Sequence, residues 1–278
     1  MKFPLRLPIS VLICVAAFSF SARAADSQTA QRFERTFTKT VGYEYLLALP
    51  TGYDSGAEKR WPLLLFLHGA GERGADVWLV AKHGPPKLLH AATPPIPSET
   101  PEARTRREAA AKALAENFIV VSPQCPAGVW WDDDAIGALL DEIAAKHRVD
   151  ARRVYLAGLS MGGYGTWSYA MKHPGRFAAI VPICGGGEPS MVRRMARTRK
   201  AELTRLGVWV FHGAKDPTVP LEESQQMVDA LKKAGVTDVQ FTIYPEAKHD
   251  SWTESFANPE LYAWLLKHEL APAPSAAK

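Results

Sequence analysis

Three residues among the 278 have the types and settings to act together on a carbonyl group: Ser160, Asp216 and His249. Ser160 lies in Gly158-Leu159-Ser160-Met161-Gly162, after the apolar run Val154 to Ala157 and before the helix-compatible segment Tyr164 to Met171. A serine in that setting sits on a sharp strand-to-helix turn, with glycines on both sides because the backbone there is crowded. Its hydroxyl is a poor nucleophile near neutral pH. It needs a base within hydrogen-bond reach, and the base needs a third group to fix its tautomer. Asp216 follows the apolar run Val208 to Phe211 through His212-Gly213-Ala214-Lys215, and His249 follows Phe241 to Tyr244 through Pro245-Glu246-Ala247-Lys248. Taken singly, each has a plainer reading: a glycine-rich turn, a turn-starting Asp-Pro pair, a surface histidine. In this order, each just past a strand end, they read as nucleophile, acid and base. Asp250 is the rival acid, but its adjacency to His249 makes the side-chain geometry awkward. The charge that develops on the carbonyl oxygen calls for backbone N–H donors. Met161, the residue after the serine, is one; the second is placed at Ala70, in His68-Gly69-Ala70-Gly71. His68 itself reads as a structural hydrogen-bonder.

The elements that must hold these residues alternate. Leu63 to Leu67 is continuously apolar, as suits a parallel strand covered on both faces. Comparable runs recur at Phe118 to Val121, Val154 to Ala157, Ala178 to Ile183, Val208 to Phe211 and Val239 to Tyr244. Helical periodicity appears between or after them at Asp134 to Lys146, Glu222 to Ala234 and Pro259 to Leu270. Arg32 to Thr40 and Tyr43 to Leu49 read as two strands of an antiparallel start. Strands alternating with helices predict an α/β sheet, and the edge formed by the C-terminal ends of its strands is where such sheets hold ligands.

Two segments depart from that rhythm. Thr93 to Pro97 leads into a charged, alanine-rich helix, Glu99 to Glu116, which reads as a surface insertion, with a binding arm as the alternative. Met191 to Arg205 concentrates arginines; a solvated helix face is the plain reading and contact with an anionic polymer or membrane the sharper one.

The N-terminus reads as a separate targeting segment. Lys2 and Arg6 precede the apolar run Ile9 to Phe18, and Ala22-Arg23-Ala24 places small residues where a signal peptidase cuts. Residues 1–24 are therefore expected to be a cleaved secretory signal, with an uncleaved anchor as the alternative, and residues 25–278 one domain. The protein is expected to be secreted or periplasmic, without stable membrane insertion after cleavage. Loss of that leader takes Lys2, Arg6 and Arg23 and lowers the formal charge from +4 to +1, so the basic balance is no argument for a nucleic-acid partner. There is no H-E-x-x-H, paired C-x-x-C, calcium loop or phosphate-cradling glycine motif, so the chemistry is expected to need no metal and no cofactor.

His68-Gly69-Ala70-Gly71-Glu72-Arg73-Gly74, Ser122-Pro123-Gln124-Cys125-Pro126, Gly158 to Gly163, Phe211 to Asp216 and His249-Asp250-Ser251-Trp252 together resemble one group of secreted α/β-hydrolases. They are variously called predicted peptidases, phospholipase/carboxylesterase-like or polyhydroxybutyrate-depolymerase-like esterases. The similarity runs from about Tyr43 to Leu266. It implies an α/β-hydrolase fold with a mostly parallel eight-stranded sheet flanked by helices, with Ser160 as nucleophile, His249 as base and Asp216 as its partner. It also implies a strand order that puts two strands between those ending near Cys125 and Cys184, a separation of about 14 Å. A disulfide needs Cα atoms within about 7 Å, so both are expected to be free thiols.

About two dozen residues separate the Ala178 and Val208 strands, too few for a large helical lid domain. An uncovered site suits soluble esters or polymer ends. Trp131 and Trp252 are placed as apolar walls of the substrate site, against a competing reading as packing at helix starts, and His83 is placed at its rim. The expectation is a serine hydrolase cleaving carboxylic esters through an acyl-enzyme. Its rivals are a serine peptidase with the same triad and a non-catalytic binding protein on the same scaffold.

Overall fold

The computed structural model describes residues 30–56, 58–90 and 99–270. The chain separates into two units, Met1–Thr40 and Val41–Lys278. The proposed leader, residues 1–24, and residues 94–98 of the insertion lie outside the described residues.

Seven strands form the sheet of the larger unit: β1 (Tyr45–Ala48), β2 (Trp61–Leu67), β3 (Ile119–Pro123), β4 (Val149–Leu159), β5 (Ala179–Ile183), β6 (Gly207–Gly213) and β7 (Val239–Tyr244). Their order is β1-β3-β2-β4-β5-β6-β7. Every pairing is parallel except that of edge strand β1 with β3. The helices are α1 (Gly84–Leu89), α2 (Pro101–Asn117), α3 (Asp133–Lys146), α4 (Met161–Lys172), α5 (Pro189–Thr198), α6 (Lys200–Leu203), α7 (Leu221–Lys233), α8 (Trp252–Phe256) and α9 (Pro259–Lys267).

The expected eighth strand is absent among the described residues. Residues 30–40 form no regular structure, and Phe33 and Phe37 are exposed. Two phenylalanines in that stretch bury too little to offset about 1–2 kcal/mol per residue for fixing a backbone.

Alternation along the strands builds a core on each face. Leu63, Leu65 and Leu67 of β2 pack with Leu156, Trp167 and Ile136 on one side; Leu64 and Phe66 pack with Tyr155, Phe118 and Leu114 on the other. All seven residues of β2 are buried, as an apolar run without alternation requires. The inserted helix α2 starts on a Thr100 cap, docks through Ala110 and Leu114, and leaves most of its charged side chains exposed. In α5, Val192 and Met195 are buried while Arg193, Arg194 and Arg197 are not, the solvated-face reading of the basic run. β2 and β4 do separate β3 from β5, and Cys125 and Cys184 are free and buried.

The β4–α4 junction is tightly packed at its glycines. A Cβ on Gly162 would lie 1.9 Å from the Leu67 carbonyl oxygen, and one on Gly158 would lie 2.2 Å from the Gly162 carbonyl oxygen. Both contacts are backbone, so no side chain can turn aside to make room. Gly162→Ala is expected to lower stability by about 3 kcal/mol, read as the shift of a urea melt. A variant as stable as wild type would show that α4 can lift from β2.

Candidate active site

Ser160 follows the last residue of β4 and caps α4 with φ 51° and ψ −117°, a positive φ that residues with a Cβ rarely hold. Its amide N–H donates to the Ile183 carbonyl at 3.0 Å, and Tyr164 N–H returns to the Ser160 carbonyl at 3.0 Å. The elbow is therefore fastened to both β5 and α4. The loops after β6 and β7 bring the other two residues to the same edge. Gly213, at the end of β6, packs against the carbonyls of Ala247 and Lys248 with no space for a Cβ, and Lys215 N–H donates to the Ala247 carbonyl at 3.0 Å. Those contacts lock the Asp216 loop to the His249 loop.

The three side chains form one line. His249 Nε2 lies 2.9 Å from Ser160 Oγ, and His249 Nδ1–H donates to Asp216 Oδ2 at 2.7 Å. Asp216 Oδ1 accepts from Thr218 N–H at 2.8 Å and Val219 N–H at 3.0 Å. Burial by itself would raise the Asp216 carboxyl, but the bonds from His249, Val219 and Thr218 outweigh it and hold the group below its ordinary value. Asp250 takes no part in the line: its carboxylate accepts from the N–H and hydroxyl of Thr253, the second residue of α8.

The loop after β2 runs beside the serine. A Cβ on Gly69 would lie 3.6 Å from Ser160 Cβ. Ala70 opens a short 3-10 turn, Ala70–Glu72, and Met161 opens α4. Both N–H groups are helix-start donors without an acceptor in their own turn. The loop is held from beneath. Gly69 N–H donates to Glu72 Oε2 at 3.1 Å, Gln124 Nε2 donates to the carbonyls of Glu72 and Asp76, both at 2.8 Å, and Cys125 N–H donates to His68 Nε2 at 2.9 Å. Because Nε2 accepts, the His68 proton is on Nδ1, where it donates to the Gly69 carbonyl at 2.6 Å. His68 is thus the structural hydrogen-bonder expected. The support given by Glu72 and Gln124 was not foreseen. A Gly-x-x-Glu spacing in Gly69-Ala70-Gly71-Glu72 was its available signal.

Trp131 packs edge-on to His68 and Tyr43, lies against Gly165, and donates its indole N–H to the His68 carbonyl at 3.3 Å. It still lines a groove of about 580 Å³ along α4, with the exposed Trp130 and with Tyr164, Met171 and Met191. Trp131 therefore packs beneath the loop after β2 and also lines this groove. Trp252 stands perpendicular to the His249 ring, with centroids 5.2 Å apart, and His83 touches Trp252.

Cys184, Asp216 and His249 form the one trio of potential metal ligands found among the described residues, with atoms within 4.8 Å of one another. The Asp216 and His249 atoms already bond each other. Burial pushes the Cys184 thiol up to about 12, which disfavours the thiolate a metal needs.

Residues 54–262 match the model of the phospholipase/carboxylesterase family. The chain belongs to that family. It is 25% identical over 172 residues to poly(3-hydroxyoctanoate) depolymerase of Pseudomonas fluorescens, a match covering 56% of this chain and 61% of the relative. It is 40% identical over 52 residues to poly(3-hydroxyalkanoate) depolymerase C of Paucimonas lemoignei, covering 19% and 13%. The family chain thus spans less than two thirds of these curated relatives. Among solved structures it is similar to a thermostable esterase, with 29% identity and a TM-score of 0.62 over 81% of this chain and 59% of that one. It shares its fold with a ferulic acid esterase, at 23% identity and a TM-score of 0.58 over 80% and 89%. The fold is the α/β-hydrolase fold, and the family is one of esterase-type hydrolases. No helix among the described residues is long and apolar enough to cross a membrane.

The buried His68 makes the site loop sensitive to acid. Burial lowers its imidazole to about 4 from the ordinary 6.5. The folded state keeps His68 neutral where the unfolded chain would protonate it. Its contribution to stability is therefore complete above about pH 6.5 and is lost as the pH falls towards 4. Between pH 7 and pH 5 the loss from this residue is expected to be up to about 2 kcal/mol, measured by urea unfolding. His68→Gln, which does not titrate, is expected to lose less over that interval; an unchanged pH slope would contradict the assignment.

Proposed function

We propose that the protein is a serine-dependent hydrolase of carboxylic esters that works through an acyl-enzyme. The observation that carries this is the continuous line Ser160 Oγ–His249–Asp216 at 2.9 and 2.7 Å, on the loops of a family whose relatives include polyester depolymerases. Ser160 Oγ attacks the acyl carbon while His249 Nε2 takes its proton. Asp216 holds the imidazole in the required tautomer and stabilises the imidazolium. The oxyanion is received by the N–H groups of Met161 and Ala70. His249 then gives the proton to the leaving alkoxide, and water repeats the sequence in reverse to release the acid.

An ester fits better than an amide because an alkoxide leaves with less help from the proton donor. The aromatic groove of Trp130, Trp131 and Tyr164 offers apolar walls for the part of a small ester or polymer end that is not at the serine. The leader pattern in residues 1–24 supports an exported enzyme.

Steady-state rates on matched p-nitrophenyl esters and p-nitroanilides test the reading. The ester is expected to be turned over far faster. Ser160→Ala is expected to lower kcat by about 10⁶ and Asp216→Asn by about 10⁴, both with wild-type melting curves. An anilide rate equal to the ester rate would favour a peptidase, and a Ser160→Ala variant with full turnover would remove the serine mechanism.

A further inference from the structure

Glu72, His83 and Trp252 stand outside the Ser160–His249–Asp216 line but join its two sides. Glu72 is 5% exposed, and its Oε2 holds the Gly69 N–H at 3.1 Å. Its Oε1 lies 3.7 Å from His83 Nε2. On the other side of the same imidazole, Trp252 Nε1–H donates to His83 Nδ1 at 3.2 Å. The Trp252 ring in turn stands at 90° to the His249 ring, with centroids 5.2 Å apart. The loop after β2, the residue preceding α1 and the start of α8 are thus strung together across the site.

The donor and acceptor inventory fixes the state of this strut. An indole N–H can only donate, so His83 Nδ1 must be bare and the imidazole proton must be on Nε2, facing Glu72. A second proton has one place to go, Nδ1, which is the atom that holds Trp252.

The geometry points to His83 as a positioning residue: while neutral it holds Trp252 edge-on to His249, and protonation at Nδ1 releases the indole. This deepens the ester-hydrolase reading and rests on it. The surroundings favour the neutral form over the working range. Burial lowers the His83 imidazole, Glu72 and Asp250 pull it upward, and Lys87 and Lys82 push it down, with the net effect below the ordinary value. The strut is therefore made near neutral pH and lost on acidification. Because Glu72 also holds Gly69, the loop bearing the Ala70 donor and the loop bearing the base share one tether.

The test uses hydrolysis of a p-nitrophenyl ester across pH by the full-length protein and three variants, each checked by its melting curve. Trp252→Phe keeps an aromatic ring but has no N–H. His83→Ala removes the acceptor. His83→Gln can accept from Trp252 and donate to Glu72 but does not titrate. His83→Ala and Trp252→Phe are each expected to lower kcat/KM roughly five- to tenfold near neutral pH, the scale of one lost hydrogen bond. The double variant is expected to lose no more than either single one, since both break the same contact. His83→Gln is expected to stay within about twofold of wild type near neutrality. Its acid limb should be shallower than that of wild type, in which protonation of His83 adds to the fall. Additive losses in the double variant, or an acid limb in His83→Gln identical to that of wild type, would overturn the proposal. Failure of the underlying reading shows instead in the parent protein, as absence of Ser160-dependent ester turnover. Failure of the strut alone leaves that turnover intact.

Discussion

At residue 160 a side chain with a Cβ is held at φ 51°, a conformation that costs of order 1–3 kcal/mol wherever the surroundings do not impose it. Here they impose it. Gly162 is packed onto the carbonyl of Leu67 and Gly158 onto the carbonyl of Gly162, so the start of α4 is wedged into the space between β2 and β4. The serine amide is also tied to β5. Three neighbouring strands therefore decide where one hydroxyl points. Relaxing the serine would mean lifting a helix from a sheet in which strand β2 is buried along its whole length.

The rest of the site follows from what a parallel sheet does with its loops. β4, β6 and β7 deliver their C-terminal ends to one edge, and the loops after β6 and β7 are joined to each other by backbone contacts as well as by the side chains of Asp216 and His249. Asp216 shows how the competing effects are settled. Desolvation opposes its charge, and three hydrogen bonds to the carboxylate override that opposition. The carboxylate is thereby both charged and immobile, the condition for fixing the His249 tautomer. The loop after β2 receives its shape from a second layer, where Glu72, Gln124 and the neutral His68 satisfy buried polar groups that would each be costly if left alone.

The meeting of Ser160, Asp216 and His249 was legible in the amino-acid sequence because each follows an apolar run that reads as a strand, and a strand's end places its loop without knowledge of any contact. The free state of Cys125 and Cys184 was legible for a similar reason: strand order alone separates them. Arg32 to Thr40 was misleading, since its phenylalanines and threonines suit a strand but its apolar content does not sustain one. The helix α2 was visible as a helix, but not its docking through Ala110 and Leu114, because two buried residues in a charged run leave a weak periodicity. The tie from Glu72 through His83 to Trp252 joins residues up to 180 positions apart by side-chain atoms alone, and no spacing rule reports such a contact. Trp131 was open between packing and wall; the structure shows the packing against His68, Tyr43 and Gly165 and also places the residue on the groove beside α4.

On the proposed mechanism this geometry makes one serine hydroxyl, and no other, a nucleophile. Reaction with a fluorophosphonate followed by peptide mass spectrometry tests it most directly. A single covalent adduct is expected on Ser160, formed quickly by wild type and slowed by orders of magnitude in a folded His249→Ala variant. An adduct on any other residue, or labelling that persists unchanged in Ser160→Ala, would contradict it.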